Sequence, residues 1–257
     1  FLMIKRKFLL TNLLATGKML EQFRAFGKLI WICLTLKFQL KSKTLNLKFM
    51  KTEITICARI STPNNLKDVE INEVLAMIQN GVCYNQDLRE VTALIQSQSN
   101  HDVQNQLKLQ YLPVALFNGT FSYKNSAGLK EYSNFTAIDF DRFNNEQEFN
   151  EVGSRLCNTP CVYAVFRTPS GKGLKAIVMH DNGNPAYHEE LYLQLLAKFS
   201  TPATDTSVGD IARGNYICYD HNLWVNNSCV PYHFVYNPQF VNNKVIASRA
   251  CATLDKA

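Results

Sequence analysis

A chain of 257 residues, 46% of them hydrophobic, is long enough to bury a core as one domain with an extension or as two small domains. The formal charge of +6 is uneven: residues 1–49 carry ten Lys or Arg against the single acid Glu21, which is +9 and leaves −3 for the other 208 residues. The basic total is therefore no argument that the main body binds nucleic acid, and any such contact there has to be a local patch.

Taken in chain order, the basic segment 1–49 comes first, with Met50 where the composition changes. Two readings of that segment stand: a basic extension that touches nucleic acid or a membrane surface, or sequence translated in frame ahead of a start at Met50. Its apolar run Leu29–Leu36 is far short of the roughly 18 residues that span a bilayer, so no transmembrane helix and no membrane partner is expected. Residues 50–245 read as one domain, and 246–257 as a tail or the start of a linker in a longer protein. The eight cysteines are scattered and follow no secretory signal, which points to free thiols in a reducing cytoplasm. Cys157 and Cys161 are spaced like half a zinc site, but no second pair accompanies them.

The main domain opens with a strand over Glu53–Ile60, then helices over Val69–Gln79 and Gln86–Gln96. Short loops lead to Leu112–Ser122, strand-like around a Gly turn, and to a strand over Phe135–Phe140. A helix over Glu146–Leu156 follows, then strands Val162–Arg167 and Leu174–Met179 joined as a hairpin, and a helix over Ala186–Lys198. Strands interspersed with helices around a hairpin predict an α+β fold with a mixed or antiparallel central sheet flanked by helices.

Three segments carry chemistry. Asp139 and Asp141 flank Phe140 at the end of an apolar strand, and alternation puts both carboxylates on one face. Paired carboxylates suit a hard cation such as Mg2+ or Mn2+, although an Asp at a strand end entering a loop needs no ligand. Between the hairpin strands, Ser170, Gly171, Lys172 and Gly173, with Lys175 just beyond, combine glycines, a hydroxyl and cations, a set that suits phosphate; an ordinary hairpin turn uses the same residues. The Walker spacing is absent and the turn leads into a strand, which argues against kinase-like and ATPase readings. Asp205 could complete a three-carboxylate set, and Arg213 could hold phosphate oxygens or simply pair with Asp210. The five histidines show no metal spacing and read as surface or core residues, and the aromatics between Tyr216 and Trp224 read as core.

AIDFD, TPSGKGLKAIV and TDTSVGDIARGNYICYD, in that order, resemble the VirE N-terminal domain family, a bacterial branch of the archaeo-eukaryotic primase superfamily, over roughly Glu53 to Tyr236. The resemblance implies a primase-polymerase-like fold with a core like that of RNA-recognition motifs. It also implies that Asp139, Asp141 and Asp205 are catalytic and bind Mg2+ or Mn2+, and that the Ser170–Gly173 turn, Lys175 and Arg213 contact nucleotide phosphates. This sequence departs from the family at Lys175, which stands where a His is common; a Lys supplies a point charge and not a neutral imidazole. The implied activity is nucleotidyl transfer with nucleoside triphosphates on single-stranded DNA, in replication of a mobile element and beside a helicase domain or protein. Two rivals stay open: a primase-like module that binds nucleotide or nucleic acid without chemistry, and a metal-dependent phosphohydrolase or nuclease using the same acids.

Overall fold

The computed structural model describes residues 51–60, 65–141, 143–201, 203–204 and 209–237. The segment 1–49, the tail 246–257 and Asp205 lie outside the described residues. The described chain is α+β, with antiparallel sheets and five α-helices, as the alternation of patterns predicts. No described helix is long and apolar enough to cross a membrane.

Eight of the twelve described strands form two four-stranded sheets, and the other four form two small two-stranded pairs. The first four-stranded sheet is built from β1 (Glu53–Cys57), β2 (Lys67–Glu70), β5 (Val114–Leu116) and β11 (Asn215–Tyr216), in the order β11-β5-β1-β2. Helix α1 (Ile71–Asn80) leaves β2 directly and stops at Gly81, whose left-handed φ of 71° lets its N–H reach the Met77 carbonyl at 2.9 Å. A small hairpin, β3 (Val82–Cys83) with β4 (Gln86–Asp87), turns the chain into helix α2 (Leu88–Gln96). Asp87 caps α2 by accepting from the Arg89 N–H at 2.8 Å, so this helix begins two residues later than its pattern predicts.

Residues 101–111, expected among short loops, form helix α3 (His101–Tyr111), capped by the Asn100 side chain on the N–H of Asp102 at 2.8 Å. Its only buried residue is Gln104, which is why no apolar stripe announces the helix. Gln104 donates to the carbonyls of Ile95 at 3.2 Å and Gln98 at 2.8 Å, so a polar side chain anchors α3 to the end of α2. The Gly-containing segment after β5 pairs β6 (Gly119–Phe121) with β7 (Leu129–Tyr132).

The second sheet has the order β12-β9-β10-β8, from β8 (Phe135–Phe140), β9 (Val162–Arg167), β10 (Leu174–Met179) and β12 (Trp224–Val225). The β9–β10 hairpin forms as its pattern predicts. Ile138 and Phe140 of β8 and Leu174, Ala176 and Val178 of β10 share one face, packed on Val152 and Leu156 of α4 (Glu146–Cys157) and on Leu191, Leu195 and Phe199 of α5 (His188–Phe199). Burying that apolar face fixes the register, and strand alternation then puts Asp139 and Lys175 on the opposite face.

Candidate functional site

Asp139 of β8 and Lys175 of β10 are direct partners in the antiparallel ladder, so their side chains stand side by side. Lys175 is 4% exposed and Asp139 8% exposed, and the Lys175 ammonium bonds Asp139 Oδ1. The other carboxylate oxygen, Oδ2, accepts from Arg213 at 2.7 Å. A second bond runs from Lys175 to Asn215 Oδ1 at 2.7 Å, and the Asn215 amide nitrogen donates to the Arg213 carbonyl at 3.1 Å. One carboxylate thus holds two cations, and Asn215 ties the second sheet to β11 of the first.

This group forms the floor of a cleft of about 570 Å³, within the size range of ligand pockets. Every described charged or hydroxyl residue that the sequence pattern singles out lines it: Asp139, Asp141, Ser170, Lys172, Lys175 and Arg213. Gly171 and Gly173 belong to the turn at its rim. Asp141 follows β8, where its N–H donates to the Ala203 carbonyl at 2.7 Å and Phe140 bridges to Thr204. The chain just before Asp205 is therefore pinned to the end of the strand that bears Asp139.

The 168–173 turn is closed by hydrogen bonds from Thr168 N to Gly173 O at 2.9 Å and from Gly171 N to Thr168 O at 2.8 Å. The Gly171 N–H is thus used inside the turn instead of converging on an anion, and its φ of +74° is what asks for glycine. Gly173 is needed for closeness: a Cβ there would collide with Asp141 Oδ1 and come within 2.7 Å of Thr168 Oγ1. The turn's contribution to a ligand therefore rests on the Ser170 hydroxyl and the Lys172 ammonium.

Helix α3 supplies a wall that the sequence pattern does not reveal. His101, Gln104 and Lys108 line the cleft, at i, i+3 and i+7 of one helical face. A polar stripe at that spacing is the signal that could have found them. Burial holds the Lys108 ammonium below the ordinary lysine range, and the nearby Asp141 carboxylate opposes that shift. Tyr216 also lines the cleft, whereas Trp224 packs against the core.

Among the described residues, four cations (Lys108, Lys172, Lys175, Arg213) and two carboxylates (Asp139, Asp141) line the cleft, a net of +2. Among the described residues no group of three or more His, Cys, Asp or Glu is placed to hold a metal ion. Both oxygens of Asp139 already meet cations, so a divalent ion coordinating it would have to sit beside Lys175 and Arg213 or displace one of them. As they stand, the described residues fit an anion and do not fit a metal bridging Asp139 and Asp141. The six described cysteines are free thiols. His180 and His188 are buried in the core, and His221 and His233 are exposed.

The fold and the cleft define an α+β domain with an electropositive, carboxylate-floored pocket. The family model described as BT4734-like, N-terminal domain, matches residues 106–224, a span that contains every cleft residue named above except His101 and Gln104. No curated protein and no solved structure matches the chain.

Proposed function

We propose that the cleft binds the phosphate chain of a nucleotide. The observation that carries this reading is the convergence of Lys108, Lys172, Lys175 and Arg213 on one cleft from three separate parts of the chain. Two of these cations, the buried Lys175 and the half-buried Arg213, are paired with Asp139, which fixes them in place before any ligand arrives. A preformed arrangement of this kind recognises phosphate oxygens through charge-assisted hydrogen bonds, and Arg can do so bidentately. The Ser170 hydroxyl adds a neutral donor, and Gln104 and Tyr216 offer polar and aromatic wall for the rest of a nucleotide. The resemblance to the primase superfamily supports nucleoside triphosphates and single-stranded DNA as the ligand class.

Titration of the full chain with ATP and with inorganic tripolyphosphate tests this. Saturable binding of both is expected, weakened about tenfold by Lys172→Ala, which removes an ammonium from an exposed turn and leaves the core alone; a lost charge-assisted contact is worth about 1.5–3 kcal/mol. Absence of saturable binding to either probe sinks the reading.

A second reading, nucleotidyl transfer, has Asp139 and Asp141 in its favour, two carboxylates lining the same cleft. It needs Mg2+ or Mn2+, which in such reactions activates the attacking hydroxyl and stabilises the leaving group. Incorporation of nucleotides on primed or unprimed single-stranded DNA, lost in Asp139→Ala, would establish it. Hydrolysed products in place of extended ones would instead favour a phosphohydrolase or nuclease.

A further inference from the structure

The position of Lys175 carries a consequence for how the ligand is held, and it rests on the reading of the cleft as a phosphate site. An ammonium has three N–H donors and no acceptor. Two of those of Lys175 go to Asp139 Oδ1 and Asn215 Oδ1. Lys175 lines the cleft and the residue is 4% exposed, so one donor of a buried side chain remains for whatever enters. A buried charged donor gains more from a partner than an exposed one, because water does not already satisfy it.

Asp139 is equally committed. In a metal-bridged phosphate site, a carboxylate of this kind holds a divalent cation, and the cation holds the phosphate. Here the atom resting on Oδ1 is the Lys175 nitrogen, and Arg213 rests on Oδ2 at 2.7 Å. We infer that Lys175 and Arg213, held by Asp139, take the place of the divalent cation, so that the cleft binds polyphosphate directly and without metal.

Charge gives the inference a sign. With four cations against two carboxylates among the described residues, the lining of the cleft is net positive. A free polyphosphate meets that charge in full, whereas magnesium bound to the polyphosphate cancels part of its negative charge and brings a further cation close to Lys175 and Arg213. Metal should therefore weaken binding at this cleft, the reverse of its effect at a metal-bridged site.

Calorimetric titration of the full chain with inorganic tripolyphosphate, first in EDTA and then in excess Mg2+ or Mn2+, tests this directly. Binding in EDTA that weakens several-fold when metal is added is the expected result. Binding that needs metal, or tightens tenfold with it, overturns the inference while leaving the phosphate-binding reading standing. Absence of binding in both conditions overturns both. Lys175→Gln supplies a second readout: with the ammonium gone, an oxygen of Asp139 becomes available to a cation, so binding in EDTA should fall at least tenfold and be partly restored by Mn2+. Unchanged binding by a folded Lys175→Gln, with no new metal dependence, also overturns the inference. The measurement on the unmodified chain decides the matter if that variant fails to fold.

Discussion

The paired strands β8 and β10 carry a polar cluster at each end, and the two ends meet burial in opposite ways. At the cleft end, Asp139 and Lys175 are opposite each other and form an ion pair, with Arg213 as the second cation. At the other end, where Phe135 faces Met179, the chain runs on into His180, fully buried, whose ring lies 5.6 Å from that of Tyr132. His188 is buried beside them, sharing a 2.8 Å hydrogen bond with the Tyr132 hydroxyl. Burial drives His180 down to about 3, helped by the neighbouring His188, and drives His188 down to about 4 against the pull of Asp210 and Glu189. The same ladder thus buries charge where a counter-charge lies across the strand and buries neutral imidazole where none does. Only the charged end has anything to offer an anion.

The largest effect should come from breaking the charged end. Asp139→Ala leaves Lys175 and Arg213 as neighbouring cations without their shared carboxylate, and loss of one partner from a buried pair costs about 3–5 kcal/mol. Denaturant unfolding of Asp139→Ala, Lys175→Met and the double variant should give a clear coupling: the double variant should lose much less than the two single losses together, because it removes the buried pair as a pair. Additive losses would mean that Asp139 and Lys175 do not act as one unit.

The neutral end should reveal itself through pH. Both histidines have depressed values in the folded protein, so the unfolded chain takes up protons first as pH falls. Their contribution is full above the unfolded value near 6.5 and is lost progressively below it, towards 4 and 3. Between pH 6.5 and 5 the loss is about 1.5 kcal/mol for each histidine, about 3 kcal/mol for the pair. Urea unfolding across that range should show the decline, roughly halved in His188→Gln. Stability that is flat from pH 6.5 to 5 would remove the contrast between the two ends.

The charged end was legible in the sequence because it sits on strands. FTAIDF and LKAIVM are buried on both faces, so what the sequence gives is the parity of the strands: Asp139 faces away from Phe140, and Lys175 away from Leu174. What the pattern could not give is register: it takes the ladder to put Lys175 directly across from Asp139. The α3 wall escaped for a different reason, since a helix whose one buried residue is Gln104 has no apolar stripe to find. A division of the strands into two sheets was also out of reach, because β11 and β12 are only two residues long and are held by pairing with distant β5 and β9. The tie from Lys175 to Asn215, which closes the cleft between those sheets, is a tertiary contact 40 residues apart in the chain.

Smaller effects separate the two glycines of the turn. Gly173→Ala would drive a methyl into Asp141 Oδ1 and the Thr168 hydroxyl, both part of the cleft wall. Overpacking of that kind costs about 1–3 kcal/mol, and displacing Asp141 should change polyphosphate affinity as well. At Gly171 a Cβ would meet only the Gln96 side chain, at 3.2 Å, so the cost of Gly171→Ala is set by its left-handed φ of +74° and should be about 1 kcal/mol. Because the Gly171 N–H is already used within the turn, that substitution should leave tripolyphosphate affinity nearly unchanged. A large loss of affinity in Gly171→Ala, with stability only slightly reduced, would show that the turn backbone itself grips the phosphate and that Ser170 and Lys172 are not its main contribution.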